Sequence, residues 1–140
     1  MVRIIAGRKG KGKTKYLLAM TEEAIRNARG TVVYLDKNMK HSLELDRRIR
    51  LINVFEFPVH SAEAFLGFLS GIISQDHDLE VMFLDSFLTL SNVETDEEIE
   101  SLLRAIIRLG EQTQTTFVVS LSRDKDELPA AVQEMVQLAL

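Results

Sequence analysis

A glycine-rich segment near the start of the chain has a residue spacing that few folds can accommodate. Residues 7–14 read GRKGKGKT and match the pattern G-x-x-x-x-G-K-[ST], with a mostly β-branched run before them and helically spaced apolar residues after them. The glycines allow a tight turn in which consecutive backbone N–H groups point into one concavity, and the positive end of the following helix reinforces it. Strand, loop and helix in this order therefore predict an α/β chain whose first loop cradles a phosphate chain.

The last two positions of this loop have distinct chemical roles. Lys13 is expected to reach the β- and γ-phosphates of a nucleotide, and the Thr14 hydroxyl is expected to bind the Mg²⁺ that bridges them. Lys9 and Lys11 occupy positions that the pattern leaves free, and exposed charges of this kind are more often solvated than bound. The predicted nucleotide-binding positions are Gly7, Arg8, Lys9, Gly10, Lys11, Gly12, Lys13 and Thr14.

A second ligand for Mg²⁺ is predicted at Asp85. Four apolar residues, 81–84, precede this carboxylate, which is typical of a strand buried on both faces. Ligands bind at the carboxyl ends of such strands, where an acid can hold Mg²⁺ through a bound water. Thr14 and Asp85 are therefore the predicted metal ligands.

The composition is that of a globular domain, since 46% of the 140 residues are hydrophobic and 27% are charged. The chain has no cysteine, which excludes disulfides, zinc–thiolate sites and thiol nucleophiles. Neither a signal peptide nor an apolar run of membrane-spanning length is found in the sequence, so we expect one cytoplasmic domain over residues 1–140 with no membrane contact. The net charge of −4 argues against a broad nucleic-acid surface.

Apolar periodicity predicts alternating strands and helices along the chain. Strands are expected near residues 2–6, 31–36, 51–56, 80–85 and 115–121, and helices near 13–28, 61–75, 95–111 and 128–138. Thr95 and Glu98 have the spacing of a capping box that opens the third of these helices. The alternation predicts a three-layer α/β fold, with a mainly parallel five-stranded sheet and helices on both faces.

The order of these segments resembles the nucleotide-binding core of RecA-like P-loop ATPases. The resemblance is carried by the loop at residues 7–14, then by TVVYLD at 31–36, VMFLDSFL at 81–88 and TFVVSLS at 116–122. It covers residues 1 to about 125 and implies the strand order 3-2-4-5-1, with ATP and Mg²⁺ as ligands. The first strand would then be an edge, covered by the terminal helix or by a second subunit. Self-association or an unidentified protein partner is therefore expected.

The chain departs from this family at the residues that activate water. The family places a glutamate just past the second strand, whereas this chain has Asn38 there, and an amide cannot accept a proton as a carboxylate can. Asp36 could substitute if the strand end shifts, although an acid that caps the strand is the simpler interpretation. At the end of the next strand the family uses a polar sensor of the γ-phosphate, for which Ser120 and Ser122 are available. The catalytic candidates are Asp36, Asn38 and Ser122.

These features favour an ATP·Mg²⁺-binding module whose hydrolysis is slow or depends on a partner. A small-molecule kinase is the alternative, with Arg47, Arg48, Arg50 and Arg123 as its candidate phosphate lid. A third hypothesis is an ATPase whose missing groups come from another subunit or a client protein. The base-reading signature N-K-x-D of GTPases is absent, which favours ATP over GTP. Recombinase-like DNA binding is not expected, because residues 90–98 are acidic and residues 123–127 are of mixed charge.

Overall fold

A computed structural model describes all 140 residues of the chain, which form six strands and five helices. Two short 3₁₀ turns complete the secondary structure, at Val54–Glu56 and Lys125–Glu127. The elements follow in the order β1 (Val2–Ala6), α1 (Lys13–Asn27), β2 (Thr31–Asp36), β3 (Ile49–Asn53), α2 (Ala62–Ser74), β4 (Leu79–Leu84), α3 (Phe87–Ser91), α4 (Asp96–Thr113), β5 (Thr116–Leu121), α5 (Ala130–Gln133) and β6 (Val136–Ala139).

All six strands belong to one sheet in the order β3-β2-β4-β5-β1-β6, and every neighbouring pair is parallel. The predicted α/β class with a parallel sheet is therefore confirmed. The predicted order 3-2-4-5-1 is present, with β6 added beside β1. The sheet thus has six strands rather than the five predicted.

The two faces of the sheet are covered by different helices. On one face, Val33 and Leu35 of β2 join a 25-residue core with apolar side chains of α2, α3 and α4. On the other face, Val32 and Tyr34 join a smaller core with Leu17 of α1. Burial on both faces explains why these strands are apolar at nearly every position. No helix of the chain combines the length and the apolarity that a bilayer span requires.

The predicted helix over residues 128–138 is wrong. The chain forms a four-residue helix, Ala130–Gln133, and then enters β6. Residues such as alanine, glutamine and leucine favour a helix, but intrinsic preference is weak and tertiary context overrides it. Here the edge of β1 offers backbone groups that need partners, and the Leu140 N–H donates to the Ala6 carbonyl at 2.8 Å. Pairing with β6 makes β1 an interior strand, which corrects its predicted place at an edge.

Smaller differences concern the ends of elements. The strand predicted over 51–56 runs over Ile49–Asn53, because the Asn53 side chain accepts the Phe55 N–H at 3.0 Å and starts a 3₁₀ turn. The short helix α3, directly after β4, was not predicted. At the start of α4 the expected capping box of Thr95 and Glu98 is confirmed, with both reciprocal hydrogen bonds formed.

Candidate functional site

A polar cleft lies where the carboxyl ends of the central strands meet. Its volume is about 560 Å³, and none of its 15 lining residues is hydrophobic. The loops after β1, β2, β4 and β5 all contribute, as expected for parallel sheets of this class. The lining residues are Lys9, Gly10, Gly12, Lys13, Thr14, Asp36, Lys37, Asn38, Lys40, His41, Asp85, Ser86, Thr89, Ser120 and Ser122.

The loop between β1 and α1 is held in a turn that depends on glycine. Gly10 and Gly12 have φ of 91° and 84°, a left-handed conformation in which any residue with a Cβ is strained. Gly12 is the N-cap of α1, so the helix begins at Lys13. The first amides of α1 therefore face the cleft side of the loop without intrahelical partners. This arrangement suits an anion.

Lys13 is a buried ammonium group held by the loop itself. Its side chain is only 8% exposed, and Nζ donates to the carbonyls of Gly7 at 2.7 Å and Arg8 at 3.1 Å. Burial lowers the pKa of Lys13, while the charge of Asp85 opposes that shift. The two neutral carbonyls compensate the ammonium charge of Lys13 only in part, because a buried cation is stabilised most by an anion. Lys13 is thus a charged donor beside a polar cleft.

Asp85 is held by three hydroxyl groups from three elements. Thr14 Oγ1 of α1 donates to Oδ2 at 2.9 Å, and Tyr34 OH of β2 donates to the same oxygen at 2.8 Å. Ser120 Oγ of β5 donates to Oδ1 at 2.8 Å and accepts the Ser86 N–H at 2.8 Å. Burial raises the pKa of the Tyr34 phenol, so this group remains a donor. The carboxylate is 3% exposed and its orientation is fixed from both sides.

The donor set at Thr14 and Asp85 fits a hard divalent cation. Both groups offer oxygen, and their oxygens lie 2.9 Å apart. Mg²⁺ in proteins takes one or two such ligands and completes its shell with water and substrate phosphates. No group of three or more His, Cys, Asp or Glu side chains is placed to hold a metal ion by itself. The residues present therefore fit a Mg²⁺ that arrives with a phosphate chain.

The three catalytic candidates all line the cleft, in different settings. Asp36 ends β2 with 3% of its surface exposed, and its Oδ1 accepts the Lys37 N–H at 2.7 Å. Burial is the main cause that raises the pKa of Asp36. Asn38 is exposed, and its Oδ1 accepts the Lys40 N–H at 2.9 Å. Ser122 follows β5 and is exposed at the rim.

Three of the predicted binding positions do not line the cleft: Gly7, Arg8 and Lys11. The Arg8 side chain turns away from the loop and forms ion pairs with Asp124 and Glu127, each at 2.9 Å. Lys11 is exposed. Arg8 is therefore engaged with the segment after β5 rather than with the cleft.

The arginines that would form a kinase lid also lie away from the cleft. Arg48 pairs with Asp46 at 3.0 Å, and this hydrogen bond lowers the pKa of Asp46 to about 2. Arg50 lies 3.7 Å from Asp76, and Arg123 pairs with Asp96 at 2.7 Å. None of these side chains lines the cleft.

Further cleft residues were not predicted from the sequence, and neither was Tyr34, which contacts Asp85 without lining the cleft. Tyr34 contacts Asp85 from inside β2, and a signal for it exists, because a tyrosine in a buried strand needs a hydrogen-bond partner. Thr89 carries no such local signal. The loop after β2 adds three basic side chains, and their signal is the run of basic residues that follows the strand. These three are Lys37, Lys40 and His41.

Comparison with known proteins adds a structural neighbour. The chain matches no protein-family model and no curated protein. Among solved structures it is similar to the flagellar accessory protein FlaH from Methanocaldococcus jannaschii, with a TM-score of 0.58 and 16% sequence identity. The two chains share a fold, and the parallel sheet with helices on both faces is consistent with the RecA-like arrangement expected from the sequence. The match covers 96% of this chain but 65% of FlaH, so the chain spans less than two-thirds of that protein. At this identity the similarity shows the fold alone.

Proposed function

We propose that the chain binds ATP with Mg²⁺ and acts as a nucleotide-gated interaction module, with hydrolysis that is slow or depends on a partner. The observation that carries this proposal is the 2.9 Å hydrogen bond between Thr14 and Asp85, formed beside the buried ammonium of Lys13. It joins α1 to the end of β4, 71 positions away along the chain. Two oxygen-bearing side chains suited to a metal ion thus lie beside an ammonium group suited to phosphate, in one polar cleft.

Each group in this site has a defined task in the proposed complex. Lys13 would exchange the carbonyls of Gly7 and Arg8 for phosphate oxygens, which are stronger partners because they carry charge. Thr14 and Asp85 would hold Mg²⁺, which neutralises part of the phosphate charge when bound. Tyr34 and Ser120 keep the Asp85 carboxylate oriented toward Thr14. The similarity of the fold to FlaH, read as a RecA-like fold, supports nucleotide binding at this site.

The cleft offers few groups that could act as a catalytic base, and for this reason hydrolysis is proposed to be slow. Asp85 accepts hydrogen bonds from three hydroxyl groups and serves as the metal ligand. Asp36 is the other carboxylate of the lining, and it is buried at the end of β2. Asn38 and Ser86 cannot take a proton at neutral pH. Asp36 is therefore the proposed base, and a partner could supply a better one.

The segment after β2 supports the proposed gating. Lys37, Lys40 and His41 line the cleft, while the side chain of Leu43 in the same segment is 98% exposed. Met39, 45% exposed, also reaches the surface. A change in this segment on nucleotide binding would move apolar side chains at the surface, which is where partners bind.

The proposal is tested by calorimetry of ATP with Mg²⁺ on the wild type and on Lys13→Ala. Loss of the ammonium removes a charged donor to two phosphates, so we expect affinity to fall about a hundredfold. Chelation of Mg²⁺ should weaken binding to the wild type as well. The control is Lys125→Ala, which removes an exposed lysine outside the cleft and should leave affinity unchanged. Equal ATP affinity in the wild type and Lys13→Ala would contradict the proposal.

A further inference from the structure

The cleft has more lysines than carboxylates in its lining, and only some of these lysines belong to the glycine-rich loop. Lys9 and Lys13 enter from the loop after β1, and Lys37 and Lys40 enter from the loop after β2. Against these four ammonium groups stand two carboxylates, in a chain whose net charge is −4. A cleft lined by one sign of charge concentrates ions of the opposite sign. The excess is therefore a local feature that suits a highly charged anion.

These lysines have no carboxylate partner in the structure. The seven ion pairs of the chain use arginine or histidine, and none includes a lysine. The two carboxylates of the cleft are engaged elsewhere: Asp85 accepts from three hydroxyl groups, and Asp36 accepts a backbone N–H. Lys37 and Lys40 therefore line the cleft without forming a salt bridge, and the charge of Lys37 acts on Asp36 only at longer range.

The backbone beneath both lysines is held in place by side chains. Asp36 Oδ1 accepts the N–H of Lys37 at 2.7 Å, and Asn38 Oδ1 accepts the N–H of Lys40 at 2.9 Å. His41 pairs with Glu44 at 3.1 Å one residue further on. Such local bonds from Asp and Asn fix a turn. Asn38 thus holds the backbone of Lys40 through its side-chain oxygen.

The strand order places the two lysines at one end of the site. The phosphate-cradling loop follows β1, whereas β2 lies beyond β4, the strand that ends next to Asp85. Lys37 and Lys40 are therefore on the far side of Asp85 from β1. In a phosphate chain that lies across the site, the metal ligands mark the terminal phosphates.

We propose that Lys37 and Lys40 bind the terminal phosphate of a nucleoside triphosphate and make the site selective for triphosphate over diphosphate. This inference rests on the proposed function and names the residues by which that site detects its ligand. An ammonium group that contacts only the terminal phosphate stabilises the triphosphate complex and adds little to the diphosphate complex. Asn38 acts as a positioning residue through Lys40.

The test is calorimetry of ATP and ADP, each with Mg²⁺, on the wild type, Lys37→Met, Lys40→Met and the double variant. Methionine keeps an unbranched apolar stem and removes the charge. We expect the double variant to lose about tenfold or more of the preference for ATP, with ADP affinity nearly unchanged. Asn38→Ala should lose a smaller part of the preference. Lys125→Met removes one positive charge outside the cleft, as each single variant does inside it, and should keep the preference for ATP.

Two results would overturn this inference. ATP and ADP affinities that fall by the same factor would mean a general electrostatic effect, and unchanged affinities would mean that the lysines stay solvated. In both cases the wild type still binds ATP, and the proposed function stands. A wild type that binds neither nucleotide would overturn the proposed function together with the inference.

Discussion

At the scale of single residues, two carboxylates with equal burial have different surroundings. Asp85 and Asp36 are each 3% exposed and end neighbouring strands. Asp85 accepts hydrogen bonds from Thr14, Tyr34 and Ser120, which fix the orientation of its carboxylate. Asp36 accepts one backbone N–H, and burial raises its pKa. The first carboxylate is thus held in a fixed orientation that suits a ligand, whereas the raised pKa of the second suits a group that exchanges a proton.

Asp36→Asn should separate catalysis from binding. Removing the proposed base is expected to lower phosphate release about a hundredfold, while ATP affinity is retained. The variant should also be more stable than the wild type at pH 7. The folded-state pKa of Asp36 is raised above its ordinary value of 3.8, so the folded wild type loses stability as pH rises from about that value through the raised pKa.

The stability gain of Asp36→Asn should therefore shrink as the pH is lowered toward 3.8, the ordinary value for this carboxyl. Urea unfolding at several pH values measures it, and phosphate release on the same samples measures catalysis. Asp126→Asn, at an exposed carboxylate outside the cleft, is the matched control. Undiminished phosphate release in Asp36→Asn would exclude this residue as the base.

At the scale of elements, β6 shows how tertiary context selects a conformation. Two residues separate its four residues from the end of a short helix, and their composition suits a helix as well as a strand. As a strand, β6 pairs with β1. The register of this pairing shifts between Ile4 and Ile5, so that Val136 packs against one core and Leu138 against the other. The backbone hydrogen bonds of β1 and burial on both faces together outweigh helix preference.

Leu138→Asp tests this arrangement. Leu138 is half-buried against the core beneath α1, so a carboxylate there should lower the free energy of unfolding by about 1–2 kcal/mol. Gln137→Asp introduces the same charge at the neighbouring exposed position and should change stability little. Urea unfolding compares the two variants. Equal effects would mean that β6 is not docked on the sheet as described.

At the scale of the whole molecule, the cleft is assembled from loops that follow four different strands. A ligand that binds this assembly does not bind the unfolded chain. Ligand binding therefore stabilises the fold by mass action, by about 2.7 kcal/mol at a free ligand concentration one hundred times the Kd. The stability of the chain is thus coupled to occupation of the proposed site.

ATP with Mg²⁺ should accordingly raise the urea midpoint of the wild type. In Lys13→Ala, an affinity that is a hundredfold weaker leaves a gain of only about 0.4 kcal/mol at the same concentration. Chelation of Mg²⁺ should remove most of the effect, because Thr14 and Asp85 then have no cation to hold. The expected gain is about 2.7 kcal/mol at one hundred times the wild-type Kd. A shift of the same size in Lys13→Ala would mean that ATP stabilises the chain from another place.

Local patterns were sufficient for most of the elements that build the site. The glycine spacing of residues 7–14, the apolar run before Asp85 and the capping box at Thr95 each depend on residues a few positions apart. Local patterns did not show that Arg8 turns to Asp124, or that the side chain of Asn38 is engaged in holding Lys40. Both depend on side-chain geometry that residue type does not specify.

The sequence by itself determined the α/β class and the glycine loop, because both follow from short-range periodicity and from the backbone freedom of glycine. The resemblance to RecA-like ATPases added the order of the first five strands. The tertiary structure alone decided the pairing of β6, the hydroxyl groups around Asp85 and the lysines that face the cleft. The hydrogen bonds that Ser120, Tyr34 and Thr14 donate to Asp85 join positions between 35 and 71 residues apart. No local window of the sequence contains both partners of such a contact, so only the folded chain brings them together.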